Sequence, residues 1–290
     1  MVTARRLVDA FLPPAFKSIA RAVKRKVKPV KAHWEIVPGG WDAVRKNGDI
    51  RGWNVKSAVE ASVVRAKAIV TGGLAERLPF GLSTETVDAP SAAMEFHNTA
   101  ESFVHAFLSS TRMMQKVSVL DWGGGLGQYS EICRAVAPEI ELDYCCRELP
   151  EFAERGRELF PKVTYYSDES WRDRKYDFVF ASASLHYVED WKGKFRELAE
   201  ASAGRRLFVT RLPVVFKTPP YVFVQRPYAW GFDTEYASWC LNRHEFLENA
   251  EKLGLRKVWE FVTGERIEFE GTGEVGEYRG FLFDVPAQLR

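Results

Sequence analysis

The run Val117-Ser118-Val119-Leu120 ends in Asp121-Trp122-Gly123-Gly124-Gly125-Leu126-Gly127, and a helix-like stretch begins directly after it. An apolar strand that closes on an acid and alternating glycines has to turn sharply into a helix. Glycine takes dihedrals that a Cβ forbids and lets a small molecule lie against the main chain. With glycine at about 7% of residues, such a pattern arises by chance in roughly one chain in a hundred. The spacing also excludes two common ligands. A nicotinamide site requires Gly-x-Gly-x-x-Gly, but Gln128 stands where the third glycine would fall. No Gly-Lys-Ser or Gly-Lys-Thr follows either, which argues against nucleoside triphosphate hydrolysis.

The alternation of patterns around this turn predicts an α/β chain with a mainly parallel sheet and helices on both faces. Expected strands are 117–120, 140–146, 163–166, 176–181 and 205–210, with helices from Gly127 to near Pro138, from Pro150 to Phe160, and from Trp191 to Ala203. A long aromatic, proline-containing connection is expected over 213–241. Asn242 then caps a helix that closes at Gly254, with Glu245 three residues beyond the cap. The runs 255–262 and 278–285 are candidates for a final antiparallel pair. Upstream, residues 32–110 read as a helical cap region. In it Trp41 and Trp53 flank a turn, a helix runs over 55–70 to Gly72-Gly73, and a long helix opened by Pro90 carries Phe96, Phe103, Val104 and Phe107 on one side. The expected organisation is therefore an arm (1–31), a cap (32–110) and a catalytic domain (111–290).

Charge separates the arm from the rest. The chain of 290 residues has a net charge of +2, but residues 1–31 hold nine Lys or Arg against Asp9 alone, leaving 32 basic and 38 acidic residues elsewhere. In the arm Phe16, Ile19, Ala20, Val23 and Val27 recur at helical spacing opposite the basic residues. Such a helix suits the interface of an anionic membrane, where each basic residue contributes about 1 kcal/mol; a helix packed on the body fits the same pattern. The four cysteines (Cys133, Cys145, Cys146, Cys240) lack metal-ligand spacing and read as buried thiols of a reducing compartment, so no metal is expected. No run approaches about 18 apolar residues, and Pro13, Pro14 and Lys17 interrupt the only early apolar run. The expected location is cytoplasmic, with peripheral contact at the inner face of the membrane through the arm.

Candidate ligand-binding residues follow from position. Asp121, Gly123, Gly124, Gly125 and Gly127 form the turn. Glu148, 21 residues past Gly127 and just beyond the second strand, is placed to accept ribose hydroxyls. Asp168 after the third strand is a candidate for an adenine amino group, and Ser182 at the end of the fourth strand for a further cofactor contact. Ser184-Leu185-His186-Tyr187 lies where ligands bind in open α/β sheets, so His186 is a candidate general base, with a packing role as the plain alternative. Arg211, past the fifth strand, is a candidate partner for an anionic substrate group or for a structural carboxylate.

These features together resemble class I S-adenosylmethionine-dependent methyltransferases. More narrowly, they resemble a bacterial family linked with surface polysaccharide or O-antigen biosynthesis. The resemblance is carried by Pro13-Pro14, the Trp41–Trp53 segment, Val119 to Gly127, Glu148 with Pro150, Ser184-Leu185-His186-Tyr187-Val188, and Thr210-Arg211-Leu212-Pro213. Trp122 stands where that family more usually has phenylalanine, and His186 where it has glutamine. The resemblance implies a Rossmann-like seven-stranded methyltransferase sheet with an N-terminal helical extension. It also implies S-adenosyl-L-methionine as cofactor, held by Asp121, the glycines and Glu148, and a small-molecule or glycan acceptor. The competing reading is a non-catalytic protein of this fold that binds a membrane or an assembly partner. Nucleic acid is a poor fit, because the body is acidic and no Asn-Pro-Pro-Tyr-type motif follows the fourth strand.

Overall fold

The computed structural model describes residues 34–48, 50–72, 90–228, 231–269 and 272–289. The basic arm and the side chain of Phe96 lie outside the described residues. Residues 34–290 form one compact unit. Among the described residues the sheet has ten strands where seven were expected. They are β1 (Trp34–Ile36), β2 (Lys116–Trp122), β3 (Glu141–Arg147), β4 (Thr164–Tyr166), β5 (Phe178–Ser182), β6 (Arg206–Val215), β7 (Tyr221–Gln225), β8 (Tyr236–Asn242), β9 (Arg256–Glu268) and β10 (Val275–Asp284). The helices are α1 (Gly40–Lys46), α2 (Lys56–Gly72), α3 (Pro90–Thr111), α4 (Tyr129–Val136), α5 (Pro150–Leu159), α6 (Trp191–Ala201) and α7 (Arg243–Lys252).

One path through the sheet runs β4-β3-β2-β5-β6-β10-β9, parallel as far as β6 and then antiparallel at β10. This path contains every strand expected from sequence. The other three strands form a branch: β1 pairs with β7 and β7 with β8, all antiparallel, and β8 joins β6 through Val214 and Val215. The branch replaces the loop expected over 213–241 and adds a strand to a region expected to be helical. β7 and β8 are buried on both faces, Val222 to Gln225 without a break, so no period-two alternation marks them in sequence.

Strand parity assigns side chains to the two faces. Val117, Val119, Phe178, Phe180, Phe208 and Leu282 pack with residues of α2, α3, α4 and α5. Leu120, Trp122, Val179, Ala181, Leu207 and Phe283 pack with α6 and α7 on the other face. Helices therefore cover both faces, as the continuous apolar run of β5 requires. Phe103 and Phe107 of α3 are fully buried in the first of these cores, which ties the 34–110 region to the sheet. The helix starts follow local chemistry. Asn242 Oδ1 accepts from the His244 and Glu245 amides at the head of α7, Asp190 caps α6 through the Gly193 amide, and Pro150 occupies the first turn of α5. Among the described residues, no helix is long and apolar enough to cross a membrane.

Candidate active site

At the carboxyl end of β2 the chain turns through the glycines and enters α4. Three hydrogen bonds fix this turn from its surroundings. The Gly123 amide donates to the Arg147 carbonyl at 2.8 Å, Ser184 Oγ donates to the Trp122 carbonyl at 2.9 Å, and Tyr165 OH donates to the Leu126 carbonyl at 2.7 Å. Gly124 passes directly over the Asp121 carboxyl group, and a Cβ there would fall onto its oxygens. Gly125 differs, with φ of +61° and only Gln128 Oε1, at 3.8 Å, within reach of a Cβ. It faces open space. Gly127 has a packing role, because a Cβ there would stand 2.7 Å from Tyr165 OH.

That space is a cavity of about 730 Å³. Asp121, Gly123, Gly124, Gly125, Glu148, Ser182 and Arg211 all line it, so the structure brings together most of the residues picked out by position. Asp121 is fully buried. Its Oδ2 accepts from Tyr144 OH at 2.7 Å, while Oδ1 has no partner among the described residues. Burial pushes its pKa up to about 7, against the lowering effect of the Tyr144 hydrogen bond and with a small addition from the Glu148 charge. Glu148 is half-buried beside the turn, where its Oε2 accepts from the Gly125 amide at 3.4 Å. Burial raises its pKa too, partly offset by the Leu149 and Gly125 amides.

Asp168 and His186 sit elsewhere. Asp168 is exposed, does not line the cavity, and accepts from the Ser170 amide and hydroxyl. His186 is 1% exposed, behind Tyr187 rather than on the cavity wall. Burial, followed by the Arg211 charge, lowers its pKa to about 3, so the imidazole is neutral. Trp122 has two cations over its ring: Arg147 lies 5.9 Å and Lys194 5.5 Å from its centre. Both cations also pair with Glu169.

The remainder of the wall comes from parts of the chain far apart in sequence. Trp53 stacks on Tyr236 at 4.3 Å and meets Tyr187 and Phe232 edge-on at 5.5 and 5.7 Å. All of these rings line the cavity. Arg211 lies beside them with φ of +50°, at a point where Thr210 and Arg211 of β6 face Gly280 of β10 alone. A second bulge, residues 263–265 of β9, faces Tyr278 of the same strand. The two bulges turn Arg211 and Glu265 toward each other. Arg211 Nε and Nη2 donate to Glu265 Oε2 and Oε1 at 3.1 and 2.8 Å. Burial alone would lower the Arg211 pKa, but the Glu265 carboxylate raises it overall. Sequence reading did not find Glu265, because its place depends on a bulge.

No protein-family model matches the sequence, and no curated protein matches it. Solved structures similar to it include magnesium protoporphyrin IX methyltransferase of Synechocystis PCC 6803 with bound SAM. That pair shares 14% identity over 80% of this chain and 97% of the other, with a TM-score of 0.47. Others are the 1,6-didemethyltoxoflavin-N1-methyltransferase of Burkholderia thailandensis (14% identity, 89% and 98% covered, TM-score 0.42) and human N-acetylserotonin methyltransferase (14%, 81% and 68%, 0.42). Likeness of this degree identifies no acceptor.

Proposed function

We propose that this chain is an S-adenosylmethionine-dependent methyltransferase acting on oxygen or nitrogen of a small molecule, with a glycan or glycolipid precursor as the favoured acceptor class. The observation that carries the reading is the unpartnered Oδ1 of buried Asp121 beside the open backbone at Gly125, with the Glu148 carboxylate across the turn. A buried carboxylate oxygen without a donor is costly unless a ligand supplies one, and the cofactor's ammonium group is such a donor. Glu148 can accept from a vicinal diol on the neighbouring side. Gly123, Gly124 and Gly125 leave the main chain bare to the cavity, Gly127 keeps the turn tight against Tyr165, and Ser182 contributes a hydroxyl at the end of β5.

The cofactor supplies an electrophilic methyl group on a sulfonium sulfur. The protein's task is then alignment and exclusion of water. The aromatic wall of Trp53, Tyr187, Phe232 and Tyr236 supplies flat faces against which a ring can be held. The glycan preference rests on the sequence resemblance. An amine or carboxylate acceptor needs no base, whereas a hydroxyl acceptor benefits from one.

Isothermal titration with S-adenosylmethionine and S-adenosylhomocysteine, followed by a labelled-methyl screen over nucleotide sugars and lipid-linked glycans, tests the reading. Saturable binding at one site and label in an acceptor are expected. Folded protein that binds neither compound contradicts the cofactor assignment. Label found only in acceptors without sugar contradicts the glycan preference alone.

A further inference from the structure

Away from the glycine turn, the cavity wall is made of aromatic and small aliphatic residues with a few polar groups, and the charged pair beside the aromatic rings is Arg211 and Glu265. They form a two-bond ion pair, with side chains 24% and 19% exposed. Each is carried by a strand bulge on opposite sides of β10, and Arg211 adopts a left-handed backbone conformation to reach this position. For a residue with a Cβ that conformation is unfavourable. The fold therefore gives up regular pairing in two strands to set one cation directly against one anion at a cavity surface. A lone arginine here would make this half of the cavity a trap for carboxylates and phosphates. Glu265 cancels that field at its source, and the surrounding tyrosines are held in their neutral form by burial, with Tyr278 raised well above its ordinary range.

We propose that Glu265 is a specificity-determining residue: by closing an ion pair with Arg211 on the cavity wall, it selects an uncharged, ring-bearing acceptor over an anionic one. The inference rests on the methyltransferase reading for the word acceptor, while the charge preference belongs to the wall itself. It narrows the substrate class. A free sugar ring or a neutral heterocycle fits the wall, whereas a phosphorylated or carboxylated group must be carried outside this half of the cavity. Selection of this kind works by repulsion as much as by attraction, since an anion near Arg211 also meets the Glu265 carboxylate.

The test uses two probes with the same phenol ring and different charge, 4-hydroxybenzamide and 4-hydroxybenzoate. Each is titrated calorimetrically against the full chain with and without saturating S-adenosylhomocysteine. The wild type is expected to bind the amide at least about tenfold more tightly than the carboxylate, and Glu265→Gln to reverse the order by exposing the Arg211 charge. A second variant, Glu265→Ala, bares the same Arg211 charge with a smaller side chain and should likewise reverse the order; an unchanged ratio in that folded variant overturns the proposal. That variant decides the matter where Glu265→Gln leaves too little folded protein by circular dichroism. The proposal is overturned by a wild type that favours the carboxylate, does not discriminate or binds neither probe. It is also overturned by a folded Glu265→Gln with an unchanged ratio. Failure of S-adenosylhomocysteine to bind counts against the methyltransferase reading alone, because the probe ratio is also measured without it.

Discussion

The two ends of the cavity are built by opposite strategies. The glycine end comes from one contiguous stretch, Asp121 to Leu126, with Glu148 added from just beyond β3. Local sequence dictates its geometry. The aromatic end draws Trp53 from the turn before α2, Tyr187 from the segment after β5, Tyr236 from β8, Phe232 from the connection before it, and Arg211 and Glu265 from two bulged strands. None of those residues is positioned by its sequence neighbours. On the function proposed above, the cofactor end is encoded locally, whereas the acceptor end is assembled from whatever elements surround it.

The sharpest way to break this division is a pair of substitutions read by one measurement. Gly125→Val puts side-chain atoms into the open space and a β-branched residue at φ of +61°. It should weaken S-adenosylhomocysteine binding at least about 100-fold, at a fold cost of about 1–2 kcal/mol. Trp53→Ala removes an acceptor-side ring and should leave that affinity within about twofold, in keeping with the additivity of separated sites. Calorimetry on both variants checks this, and a large loss of cofactor affinity in Trp53→Ala would mean that the two ends are not independent.

A smaller effect is expected from pH. Asp121 titrates near 7 in the folded chain, above its ordinary 3.8, so the folded state holds a proton there that the unfolded state has already released. Its contribution to stability is greatest below pH 4 and declines as pH rises toward 7. Cofactor binding runs the other way, because an ammonium group prefers the ionised carboxylate. Affinity for S-adenosylhomocysteine should therefore fall by up to about tenfold between pH 8 and pH 6. Asp121→Asn should bind weakly with a flatter profile. Titration across that range with both proteins checks it, and an unchanged slope in the variant would reassign the titrating group. The smallest effect concerns the arm. Deleting residues 1–31 should reduce sedimentation with anionic vesicles severalfold and leave cofactor affinity unaltered. Equal vesicle binding by the two forms would remove any membrane role for this segment.

The same contrast explains what could be read from sequence. The parallel strands β2 to β6 were legible because doubly covered strands are short apolar runs bounded by turn residues, and β9 and β10 were legible as β-rich runs near the end of the chain. Asp121 and Glu148 were legible because their distance from strand ends is fixed. Strands β7 and β8 were hidden by Pro219, Pro220 and Pro227 around β7 and by burial that erases alternation. Arg211 was visible as a residue beyond a strand, yet its partner was not, since a bulge shifts which side chains face each other. His186 shows the reverse: a loop position at the right end of the sheet looked chemical, and packing placed it in the interior.

Strand β6 takes part in both ends. Its first residues pair with β5 beside the glycine turn, its last two with β8 of the branch, and the bulge at Arg211 lies between them. The distance between the two ends of the cavity is thus measured out along a single strand like marks on a ruler. Inserting or removing one residue in 206–215 would change the gap between those two ends while leaving each wall whole.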